Sequence, residues 1–201
     1  MPRLALAATA AAVVLAACAS TPDTDFGDVP LASGLRLEVV PSDELLYRAD
    51  NLPRVADRRG GGRLGSGFAS GGYLGFDAIE TLVEETEEEL RDDLADAGVA
   101  LRDDAPTVLR VVIEDARNNR PTFRQLSEEP SLDFQSFGVG GAELTATVIS
   151  PAGAPLGTVE YRWYDTLEPN GFDQGKGVWT DATQAISRFS NRTAKALAGR
   201  A

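Results

Sequence analysis

Hydrophobic and polar positions along this chain follow two periods, and the expected elements change where the period changes. Leu35-Arg36-Leu37-Glu38-Val39-Val40 alternates with a period of two and predicts a first strand, ended by Pro41. From Asp77 to Ala97 the period lengthens: Ile79, Leu82, Val83, Thr86, Leu90, Leu94 and Ala97 share one helical stripe. Asp77 with Glu80 forms a capping-box pattern at the start of that helix, and Gly98 supplies the stop. A short strand is expected near Val99 to Leu101. Thr107 to Glu114, built on Val108-Leu109-Arg110-Val111-Val112-Ile113, predicts a strand buried on both faces, and Ala142 to Ser150 predicts another of the same kind. After the turn Pro151-Ala152-Gly153-Ala154-Pro155, Leu156 to Tyr164 returns as a hairpin partner. Val159, Tyr161 and Trp163 lie on one side of it, Thr158, Glu160 and Arg162 on the other. Asp181 to Ala198 predicts a second amphipathic helix, with Ala182, Ala185, Ile186, Phe189, Thr193 and Leu197 inward. Thr180 is its expected cap, and Arg188, Arg192 and Lys195 suit the negative end of its dipole. The expected fold is α+β: one two-layer domain over residues 35–201, a mainly antiparallel sheet with two amphipathic helices on one face. Leu82, Leu90, Leu94, Ile186, Phe189 and Leu197 should share its core.

The residues ahead of this domain follow a different pattern. Met1-Pro2-Arg3 precedes an unbroken small and apolar run from Leu4 to Ala17, the charged head and short apolar stretch of a secretory signal. The run is shorter than the roughly 20 residues needed to span a bilayer. It closes on Leu15-Ala16-Ala17-Cys18, which resembles the lipobox of bacterial lipoproteins. That resemblance implies removal of residues 1–17 and acylation of Cys18 with chains such as palmitate. It also explains why an exported chain carries a single cysteine with no disulfide partner. An ordinary signal peptide with an incidental thiol is the alternative. Ala19 and Ser20 resemble the residues that let such proteins move to an outer membrane, where this one would face the periplasm. Residues 18–34, rich in Asp and Pro, read as a lipidated disordered tether.

Charge and missing residue types narrow the chemistry. The chain carries 19 basic and 31 acidic residues, a net charge of −12. The signal segment contains Arg3 and no acid, so the mature chain stands at −13. Such a charge repels nucleic acid and anionic headgroups and excludes a nucleic-acid partner. No histidine occurs, which excludes Ser-His-Asp hydrolysis and histidine zinc sites. Lipidation would consume the only thiol. Lys176 and Lys195 are the only lysines, and neither sits in a Ser-x-x-Lys motif. Glu114-Asp115 is the remaining candidate carboxylate pair for a hydrolase, unless it is simply a strand end turning into solvent. Asn191-Arg192-Thr193 matches a glycosylation sequon but lies inside a predicted helix of a bacterial chain. Residues 60–75 hold eight glycines, of which Gly60, Gly62 and Gly65 match G-x-G-x-x-G. The flanking strand and helix of a dinucleotide site are missing, so the stretch reads as a flexible loop. No cofactor and no metal are expected.

Two candidate contact surfaces remain. Glu85, Glu88 and Asp92 fall at i, i+3 and i+7 of the first long helix; they can hold a basic partner or a divalent ion, or serve only as a solvated face. The segment 117–141 joins two core strands and carries Phe123, Leu126, Leu132, Phe134 and Phe137 among polar residues. A loop of that length is usually functional or disordered, and its apolar residues either meet a partner or fold back onto the core. The order of elements resembles the amino-terminal domain of TolB and the CsgG-like fold. Gly140-Gly141-Ala142 leading into a strand, and Trp179-x-Asp181-Ala182 opening a final helix, resemble bacterial envelope lipoproteins. The tether, the acidic helix and the long loop point to a non-catalytic envelope protein that binds another protein or supports an assembly, with Phe123, Phe134, Phe137, Glu85, Glu88 and Asp92 as contact residues. A domain binding a lipid or small molecule is the second reading, and a carboxylate-based hydrolase the third.

Overall fold

The computed structural model describes residues 24–26, 29, 31–54, 68–69, 71–165 and 176–199. The lipobox, Cys18, and the glycine motif Gly60, Gly62 and Gly65 lie outside the described residues. In chain order the elements are β1 (Thr24–Phe26), β2 (Arg36–Pro41), α1 (Asp43–Tyr47), α2 (Phe76–Asp96), β3 (Val108–Arg117), α3 (Phe123–Glu128), β4 (Gly141–Ile149), β5 (Pro155–Tyr164) and α4 (Thr180–Ala198). The strands form one open sheet in the order β1-β5-β4-β3-β2. Three of its four pairings are antiparallel, while β2 and β3 run parallel, with Arg36 opposite Val108 and Val40 opposite Val112. A parallel pair needs a long crossover, and α1 and α2 fill it. The fold is therefore α+β, with both long helices on one face of a mainly antiparallel sheet.

The core forms where the helical stripes meet the alternate, inward-facing positions of the strands. Leu82, Leu90, Leu94, Ile186, Phe189 and Leu197 are all buried in one cluster with Leu109, Val111, Ile113, Leu144, Ala146 and Val148. Polar contacts fix the helix pair as well: Ser190 Oγ donates to the Glu89 carbonyl at 3.0 Å and Thr183 Oγ1 to Glu85 Oε2 at 3.0 Å. Among the described residues no helix is long and apolar enough to cross a membrane.

Four local expectations are corrected. The strands β3 and β4 are buried on one face only: their burial alternates, leaving Arg110 and Glu114 exposed, because no layer covers the second face. The N-cap of α2 is Gly75 with no side-chain cap, so Asp77 and Glu80 sit inside the helix, in its first turn and just beyond. Thr180 is the first residue of α4 rather than its cap, and its hydroxyl instead accepts from the Gly177 amide at 2.8 Å. The expected tether of 18–34 also contains structure, since Thr24–Phe26 pairs antiparallel with β5 and Phe26 is completely buried. One large apolar side chain and a strand edge to pair with suffice to recruit it. The stop at Gly98 is as expected, with φ +75, and the strand expected near Leu101 is a single bridge to Leu35.

Candidate recognition surface

The 117–141 segment is an ordered projection rather than a slack loop. Its neck is closed by Asn119, which is completely buried. The Asn119 carbonyl accepts from the Gly138 amide at 2.9 Å, its Nδ2 donates back to the Gly138 carbonyl at 3.3 Å, and its own amide donates to the Val178 carbonyl at 2.7 Å. Nδ2 also donates to Asp181 Oδ2, while the Asp181 amide donates to Asn119 Oδ1 at 2.9 Å. The other carboxylate oxygen of Asp181 takes Lys176 Nζ at 2.7 Å, and Lys176 also reaches Asp165 at 2.7 Å. Burial works against the charged lysine, but the hydrogen bonds to Asp165 and Asp181 outweigh it and raise its pKa. The glycine pair singled out in the sequence has a steric reason: a Cβ on Gly140 would stand 2.6 Å from Asn119 Oδ1, and one on Gly141, at φ +146, 2.3 Å from the Trp163 carbonyl.

Beyond the neck, Thr122 caps α3 with a complete capping box, its hydroxyl taking the Gln125 amide while the Gln125 side chain takes the Thr122 amide. Gln125 also donates to the Phe68 carbonyl at 2.9 Å and the Gly72 carbonyl at 3.2 Å. Thr122 Oγ1 reaches the Tyr73 carbonyl at 3.3 Å, and Arg124 pairs with Asp50 at 3.2 Å and Glu128 at 2.9 Å. The amides of Tyr73, Leu74 and Gly75 donate to the carbonyls of Asn51, Arg48 and Ala49. Residues 46–52, 72–76 and 122–128 are thereby knitted into one platform at the end of the sheet where β3 and β5 finish.

Every large apolar side chain that the described residues leave exposed sits on this platform or in its loop: Leu46, Leu52, Phe76, Phe123 and Phe134. Phe123 is 83% exposed and Phe134 69%, and their rings meet edge to face with centroids 6.3 Å apart. An aromatic pair, with Phe123 on the capped α3 and Phe134 in the loop that follows, loses little freedom when it is covered, which is what an interface anchor requires. Phe137, expected beside them, is half-buried under the Arg120 guanidinium at 5.2 Å and Lys176 at 5.9 Å, so it belongs to the support.

Behind the platform lies a charged cluster. Arg48 pairs with Asp115 and donates to the Gly71 carbonyl at 2.8 Å, Arg117 reaches Asp115 at 3.3 Å, and the Tyr164 hydroxyl donates to Asp115 at 2.7 Å. Burial, then the charge of Asp115 and the hydrogen bond to it, raise the Tyr164 pKa far above the ordinary tyrosine value. Burial lowers that of Arg117, whose guanidinium stacks 4.2 Å from the Tyr164 ring. Asp115, one half of the expected carboxylate pair, is thus taken up by three donors, and Glu114 beside it is exposed.

The acidic trio is not brought to the aromatic pair. Glu85 accepts from Thr183, Glu88 and Asp92 are exposed, and Glu85 stands nine residues, about 14 Å of helix rise, from Phe76. Among the described residues no group of three or more acids is close enough to hold a metal ion. An open hollow of about 480 Å³ lies at the end of α2, lined by Arg91, Ala95, Gly98, Val99, Ala100 and Leu101. Sequence reading missed Leu46, Leu52 and Phe76 as members of the surface; the signal available was Ser42, whose hydroxyl caps α1 by taking the Leu45 amide at 3.1 Å.

No family model and no curated protein matches this chain. Among solved structures it is similar to a PelC dodecamer from Paraburkholderia phytofirmans, at 13% identity and a TM-score of 0.40, over 83% of this chain and 94% of that one. It is also similar to protein XCC0632 from Xanthomonas campestris, at 13% identity and a TM-score of 0.39, over 89% of this chain and 87% of that one.

Proposed function

We propose that this chain is a lipid-anchored, non-catalytic domain of the bacterial envelope that docks on a protein partner through the Phe123 and Phe134 platform. The anchor is Cys18, acylated after removal of residues 1–17, with Ala19 and Ser20 directing the protein to the outer membrane. The observation that carries the docking surface is the exposed, edge-to-face Phe123 and Phe134 pair on a loop whose neck and flank are hydrogen-bonded into the fold. Exposed aromatic residues on a braced support mark interfaces, because the cost of ordering them is already met.

The test uses intact cells and the full chain. A Phe123→Ser, Phe134→Ser double variant should fold and be lipidated normally, yet lose the envelope crosslinks that the parent chain gives with a short crosslinker. Undiminished crosslinks would remove the platform from the function. Cys18→Ser should release the protein from carbonate-washed membranes or leave an unprocessed precursor. A processed variant that stays bound would remove the anchor.

A further inference from the structure

We infer that the partner met by this platform is an integral protein of the membrane that holds the lipid, contacted at headgroup level. The inference rests on reading Cys18 as the anchor. Residues 19–23 alone separate Cys18 from Thr24, the first residue of β1. Whatever path they take, six Cα steps span at most about 20 Å. The domain therefore cannot stand off from the bilayer.

The direction of β1 says which end lies nearest. Thr24 faces Val159 and Phe26 faces Gly157, so β1 enters the sheet from the Tyr164 end of β5. Tyr164 lies opposite Gly141, and Gly141 opposite Arg117. That is the end from which the 117–141 segment projects. Val159 to Tyr164 covers about 17 Å of strand, nearly the whole reach of the leash. The N-terminal end of β1 therefore points toward the end of the domain that carries the aromatic pair, and an anchor reached along that line meets the same plane as the pair.

Charge separates a protein from bare lipid as the occupant. Among the described residues, Arg124, Arg120 and Lys176 beside the platform have partners within the chain: Asp50 and Glu128 for Arg124, the Gln135 and Ser136 carbonyls for Arg120, Asp165 and Asp181 for Lys176. A mature chain with 18 basic against 31 acidic residues is repelled by anionic headgroups. An exposed apolar pair beside cations that already have partners within the chain fits an apolar protein surface instead.

The experiment places a photo-reactive phenylalanine analogue at position 134, or at position 96 on the far end of α2, in the full lipidated protein in native membranes. A specific protease site inserted after Ser20 allows the leash to be cut after irradiation. The expected result is a protein-sized adduct from position 134, absent from position 96, that stays in carbonate-washed membranes once the leash is cut. Lengthening the leash by twenty glycine and serine residues should lower its yield on the order of tenfold through the fall in effective concentration. An adduct released by cutting overturns the embedded partner but leaves the docking function standing. A shift of lipid size only, or no adduct from position 134 in a folded protein, overturns both.

Discussion

Asn119 and Asp181, 62 positions apart in the chain, hold each other by two reciprocal hydrogen bonds: the asparagine amide group donates to the carboxylate, and the aspartate backbone amide donates to the asparagine oxygen. The pair ties the neck of the 117–141 projection to the first turn of α4. Asn119→Ala leaves the buried Asp181 amide and carboxylate short of partners, at about 1–3 kcal/mol for each group so exposed to loss. Urea denaturation should show that cost, and hydrogen exchange should speed up for the amides of residues 120–137 before the rest of the domain.

The aromatic pair should behave as surface. Phe123→Ser and Phe134→Ser should each change stability by less than about 0.5 kcal/mol, whereas Phe189→Ala, in the core, should cost about 3–5 kcal/mol. Thermal denaturation of the three variants checks this, and a large loss from Phe134→Ser would return that ring to the core.

Leu90→Ala tests the packing of α2 on α4. Leu90 is fully buried in the common cluster, so the expected loss is about 2–5 kcal/mol in urea denaturation.

Alkaline pH should unfold the protein through Tyr164. Its folded pKa is raised above the unfolded value, so its contribution is complete below about pH 10 and is lost as pH rises through the folded value. Denaturation measured from pH 8 to 11.5 should show stability falling above pH 10, and falling less steeply in Tyr164→Phe. Parallel curves would show that the tyrosine is not the sensitive group.

What the sequence disclosed depended on length. The stripes of α2 and α4 span five turns or more, so their burial follows from period alone, down to Thr86 and Thr193 on the inward face. The β4–β5 hairpin was equally legible, because the turn and the alternation agree. The five residues of α1 and the three of β1 are too short to show a period. The parallel pairing of β2 with β3 is a matter of which edges meet, and alternation within a strand does not record that. The projection was found by its length and its phenylalanines, yet the same three rings divide between anchor and support. That division depends on Arg120 and Lys176 covering Phe137, and Lys176 lies 39 positions downstream of it. Asn119 gave no signal and Asp181 only a place in a helix-opening motif, since a polar residue reads as exposed until its partner is known.

The pairing of β1 with β5 sets the timing of folding. Residues 24–26 hydrogen-bond to residues 157–159, so the first strand made closes the edge of a sheet whose neighbouring strand is almost the last to be made. Contacts of such sequence separation cost loop-closure entropy before they return any energy, and they slow folding. Until β5 is formed, Phe26 has no strand to lie beside. The domain can therefore finish only as a whole, with its first strand fastened late.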